Sequence, residues 1–121
     1  MIRQMKEISP TPLSKLAECP YYSVIFTSKL SEDNTGYTQM AHQMLELASQ
    51  QEGFLGADSA RENHMGITVS YWKDETSMQN WKQQIEHLQA QKQGKTRWYN
   101  EYTVRIAKVE RSYGFQRKDD A

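Results

Sequence analysis

The order in which two hydrophobic periods occur along this chain constrains its fold more than any other feature. The run YYSVIFTSKL (21–30) sets Tyr22, Val24, Phe26 and Leu30 on one side and Ser23, Ile25 and Thr27 on the other, which predicts a strand with one well-buried face. After SEDNTG, the residues Tyr37, Met40, Ala41, Met44, Leu47 and Ala48 recur at helical spacing, so a helix is expected through about Gln51, stopped by Gly53. His42 falls off that stripe and reads as a surface residue, as does His64 further on. FLGADSARE and GITVSYW, joined through ENHMG, read as an antiparallel hairpin, with Gly56 marking a bulge or a close backbone approach. Asp74 is a natural N-cap and Glu75 suits the positive end of a helix dipole. Met78, Trp81, Ile85 and Leu88 then define a second buried helical stripe, ending by Gly94. A last strand, about Trp98 to Arg111, alternates Tyr102, Val104 and Ile106 against Thr103, Arg105 and Ala107; the switch to Val109 predicts a bulge or burial on both faces.

Strand, helix, strand, strand, helix, strand is the ferredoxin-like α+β order (βαββαβ), in which an antiparallel sheet carries both helices on one face. The bare face would expose apolar side chains, so two subunits are expected to pack sheet to sheet as a homodimer. A chain of 121 residues holds one such domain, and a mean hydropathy of −0.87 leaves it a lean core that an interface would supplement. The expected organisation is an irregular arm over 1–20, which contains all three prolines, a domain over 21–115 and a polar tail over 116–121.

Fifteen basic residues balance fifteen acidic ones, without a basic stripe interleaved with aromatics, which argues against nucleic acid and anionic membranes as partners. The single cysteine, Cys19, cannot form an internal disulfide or a thiolate metal cage and fits a reducing, cytoplasmic compartment. The N-terminal residues lack the apolar run of a signal peptide, and no eighteen apolar residues are consecutive. Nucleotide-binding glycine loops, a nucleophile elbow and a histidine pair at metal-ligand spacing are all missing from the sequence.

Functional signal concentrates between Trp72 and Tyr102, which hold all three tryptophans (Trp72, Trp81, Trp98) together with His87. The segments GFLGADS, SYWKDE, the helix bearing Trp81, His87 and Ala90, GKTRWY and YTVRIAKVERSYGF occur in an order that resembles the antibiotic biosynthesis monooxygenase domain family over about residues 21–115. The resemblance implies a dimeric α+β barrel with a pocket between each sheet and its own helices. It also implies one of several activities: oxygenation of phenols or quinols without metal or flavin, haem binding or degradation, or ligand binding without chemistry. The haem-degrading pattern calls for an asparagine on the first strand and a histidine about three helical turns after the tryptophan. Thr27 and Ser28 occupy the former region, Gln91 stands at the latter position, and His87 comes a turn too early, so this branch is disfavoured.

Cofactor-free oxygenation needs a substrate able to form a stabilised anion, a dry aromatic pocket and a group to take or hold a proton. On that branch His87 and Trp81 are the expected catalytic pair, and no metal or cofactor is implied. Trp72, Trp98 and Tyr99 are expected to bind a small aromatic substrate, and Arg105 to balance a phenolate or to pair with a glutamate across the dimer. Each aromatic has a second reading as core packing, and His87 one as an exposed or capping residue.

Overall fold

A computed structural model of the chain describes residues 15–91 and 98–117. The elements are β1 (Tyr21–Leu30), α1 (Tyr37–Ser49), β2 (Phe54–Glu62), β3 (Met65–Trp72), α2 (Glu75–Gln91) and β4 (Tyr99–Val109). All pairings are antiparallel and the sheet order is β2-β3-β1-β4, which is the ferredoxin-like arrangement. Asn63 and His64 form the β2–β3 turn, with Asn63 at a positive φ of 56° that asparagine tolerates well. The register shifts between Phe54 and Gly56, which is the bulge that Gly56 suggested. The register of β4 on β1 is unbroken from Val109 to Glu101; its irregularity sits at the other end, between Lys29 and Leu30. Val109 simply pairs with Tyr21 on the face away from the helices.

Both helices cover the face that carries Val24 and Phe26 of β1, and the apolar stripes meet it in two clusters. One joins Val24, Ala48, Trp72, Met78, Trp81 and Ile85; the other joins Leu30, Met40, Trp98 and Tyr99. Asp74 caps α2, its Oδ1 accepting the Ser77 backbone N–H at 2.8 Å, and this bond chiefly holds the carboxyl below its usual pKa. The opposite sheet face buries Tyr21 and Ser23 but is open over the β2–β3 turn end, leaving Met65 and Ile67 50% and 43% exposed. The arm before Lys15, Gly94 and the linker over 92–97 lie outside the described residues, as do the side chains of Leu88 and Gln91.

Candidate functional site

A cavity of about 90 Å³ lies between the helices and the sheet. α1 roofs it with Tyr37, Met40, Ala41, His42, Met44, Leu45 and Ala48, because this arc of the helix is apolar and faces the β2–β3 half of the sheet. α2 contributes Trp81 and Ile85, β1 contributes Val24 and Phe26, and β4 contributes Tyr99. The floor over β2 and β3 is different in kind: Ala57, Ser59, Thr68 and Ser70. Register explains the grouping, since on β2 Ser59 pairs with Thr68 and Ala57 with Ser70, while on β1 Phe26 and Val24 pair with the same two residues of β3.

The floor residues are held in place by hydrogen bonds. Ser59 Oγ and Thr68 Oγ1 are 3.0 Å apart, and the Trp72 Nε1–H donates to Ser70 Oγ at 2.8 Å. One step further along β2, Arg61 Nη2 donates to the buried Ser28 Oγ at 2.9 Å and to the Tyr37 hydroxyl at 3.3 Å, while Nη1 donates to the His64 carbonyl at 3.2 Å. Gly66 opposite leaves room for this guanidinium; a Cβ there would collide with it. Arg61 thereby fastens Tyr37, a wall residue, to the sheet. Tyr37 and Tyr99 in turn meet edge to face at 5.6 Å, and Phe26 and Tyr99 do so at the same separation.

Two of the residues singled out from sequence, Trp81 and Tyr99, both line the cavity wall. Trp72 lies behind it, wholly buried and stacked on Trp81 with ring centroids 5.6 Å apart. Trp98 is also behind the wall, buried edge-on to Tyr37, with its Nε1–H donated to the Thr35 carbonyl at 2.9 Å. Arg105 is exposed on the opposite sheet face, because it alternates with Val104 and Ile106 and the cavity lies on their side. His87 is exposed on α2 and outside the cavity lining: two positions after Ile85 it is turned by about 200° from the buried stripe. Its solvent-facing neighbours Lys82 and Glu86 form an i,i+4 ion pair at 3.3 Å.

The histidine that does border the cavity is His42, at its solvent edge. Sequence reasoning placed it on the surface, where it is exposed, but missed that the roof extends past the core stripe to His42 and Leu45. Leu45, three residues on and off the main stripe, is the signal for that wider arc. No group of three or more metal-ligating side chains occurs among the described residues.

The fold and cavity define a ferredoxin-like α+β protein with a small, mostly apolar recess between sheet and helices. The chain belongs to the antibiotic biosynthesis monooxygenase family, whose profile matches residues 22–93. It is 49% identical over 105 residues to the uncharacterized protein YqjZ of Bacillus subtilis (strain 168), an alignment covering 86% of this chain and 92% of that one. Among solved structures, SnoaB of Streptomyces nogalater, a cofactor-independent oxygenase in its N63A form, superposes with a TM-score of 0.64 at 9% identity, over 78% of this chain and 97% of SnoaB. PA3566 of Pseudomonas aeruginosa superposes with a TM-score of 0.60 at 15% identity, over 81% of this chain and all of PA3566. At such identities the two superpositions establish the fold alone. No helix among the described residues is long and apolar enough to cross a membrane.

Proposed function

We propose that this protein is a monooxygenase that oxidises a small phenol or quinol in the cavity between α1 and the sheet, without metal or flavin. The observation that carries the reading is the lining: the rings of Phe26, Tyr37, Trp81 and Tyr99 enclose a recess whose only titratable imidazole, among the described residues, is His42 at the mouth. Family membership and the activity named for SnoaB support it. Trp81 and Tyr99 hold the ring, and the apolar roof keeps the reacting carbon away from bulk water. His42 stands at the mouth, where its imidazole would accept a proton released by the substrate. In a phenol-to-quinone oxidation the ring carbon gains one oxygen atom of O₂, and the other leaves as water with the hydroxyl proton and ring hydrogen that the substrate gives up. The substrate is itself the reductant.

The cavity is smaller than the roughly 150 Å³ engineered cavity that accepts benzene. A single-ring substrate therefore fits best, entering as the flexible Met40 and Met44 side chains of the roof swing aside. A second copy of the chain would cover the sheet face bearing Met65 and Ile67, giving a homodimer in which each subunit keeps its own cavity. Isotope-labelled dioxygen tests the chemistry: one labelled oxygen atom per turnover should appear in the quinone, and an unlabelled product contradicts monooxygenation.

A further inference from the structure

The side of a sheet that faces its helices is ordinarily apolar, since buried hydroxyls carry a desolvation cost that valine or alanine would avoid. Along β1 and β4 this holds beside the cavity, with Val24, Phe26 and Val104 facing inward, and the inward hydroxyl of β1, Ser28, is taken by Arg61. Along β2 and β3 it does not: Ser59, Thr68 and Ser70 form a patch of three hydroxyls, and all three border the cavity. Their protons can be accounted for. Each hydroxyl has one proton to donate. The Ser59–Thr68 contact uses one of the three, and Ser70 oxygen already accepts the Trp72 indole N–H, so its own proton turns away from Trp72. Two donors remain on the floor, beneath a roof and walls of rings and methylenes.

We infer that the Ser59–Thr68–Ser70 floor is a specificity site that recognises an oxygen acceptor, a carbonyl or phenolate oxygen, on the edge of a planar aromatic ligand. This rests on the cavity being a ligand site, as proposed above, and adds which atoms of the ligand are read and by which residues. A ring lying against Trp81 and Tyr99 would direct its oxygen at β2 and β3 and its apolar edge at Met40, Met44 and Leu45. Such a floor rejects a ligand of the same shape without the oxygen, because the hydroxyls would lose water and gain nothing.

Acetophenone and α-methylstyrene isolate this term, being single-ring isosteres that differ only in C=O against C=CH₂. A wholly apolar cavity prefers the hydrocarbon, which is the more readily expelled from water; a donor-lined floor reverses the order. Amide-resolved NMR titration reads affinity and position together. The wild-type protein should bind acetophenone about tenfold more tightly, with the largest shifts at β2 and β3, and the Ser59→Ala/Thr68→Val double variant, which keeps only the Ser70 donor, should lose a large part of the preference while keeping its affinity for α-methylstyrene. Ser59→Ala alone frees the Thr68 proton as it removes the serine's, and should keep the preference. A wild-type preference for the hydrocarbon, or an unchanged preference in the folded double variant, overturns the inference and leaves the cavity a ligand site. If neither compound shifts the cavity amides, the ligand-site reading itself falls and this inference with it.

Discussion

Trp72 of β3 and Trp81 of α2 stack with centroids 5.6 Å apart and ring planes 25° from parallel, so that one tryptophan is core and the next is cavity wall. Their contact couples the stability of the fold to the shape of the site. Trp72→Ala should cost about 3–5 kcal/mol, as expected for a wholly buried aromatic, and should also leave Ser70 without its indole donor. Trp81→Leu should cost less, about 1–2 kcal/mol, while enlarging the cavity. Urea unfolding of the two variants measures both; equal losses would mean that the stack does not divide the roles in this way.

Gly53 illustrates how tightly α1 is joined to the second half of the chain. It follows α1 with φ +86°, and a Cβ there would strike Cβ and Oγ of Ser77 in the first turn of α2. Gly53→Ala should destabilise by more than the roughly 1 kcal/mol typical of a glycine held at positive φ. Ser77→Gly should recover part of this loss in a double-mutant cycle, and strict additivity would show that the two do not meet.

On the open sheet face, burial, then the hydrogen bond to Asp58 Oδ2 at 2.8 Å and the charge of that carboxylate push Tyr71 up to about 12. A phenol with a raised folded pKa contributes stability that is complete below the unfolded value near 10 and is lost as pH rises toward 12. Ultraviolet titration should therefore show a late-ionising tyrosine that disappears in Tyr71→Phe, and the variant's stability should fall less steeply over that pH range. Identical titration curves would remove the assignment.

His42 and His87 are both exposed helix residues, so replacing either with alanine should change stability by no more than about 0.5 kcal/mol. Turnover should separate them. His42→Ala should lower the rate about tenfold or more. His87→Ala should leave it unchanged; a loss confined to His87→Ala would return the acid-base role to α2.

The proposed homodimer would rest on the sheet face that carries Met65 and Ile67. Ile67→Asp puts a charge in its middle and should shift the sedimentation of the protein from two copies to one, with cavity binding retained. A monomeric wild-type protein would contradict the assembly.

All six elements were legible because each carries its own period, and their order alone fixes a sheet with both helices on one side. Trp81 and Tyr99 were legible as wall residues through the clustering of aromatics. Arg105 sits on the face that its alternation with Val104 and Ile106 indicates, which is the face away from the cavity. The rest of the site was hidden for a geometric reason. Ser59, Thr68 and Ser70 become neighbours only through the β2–β3 register, and in a short polar strand such as FLGADSARE alternation does not say which face is inward. His42 escaped because an exposed residue at the mouth of a cavity has the pattern of any solvated one.

Oxygen uptake with single-ring hydroquinones, measured above the autoxidation rate for the wild-type protein and for Ala41→Phe, tests the central claim most directly. Ala41 lies in the cavity roof, where a phenyl group would fill the recess without touching the sheet floor's hydrogen bonds. The account predicts uptake by the wild-type protein and at least a roughly tenfold loss in the filled variant. A wild-type rate no higher than autoxidation, or equal rates in both proteins, would contradict it.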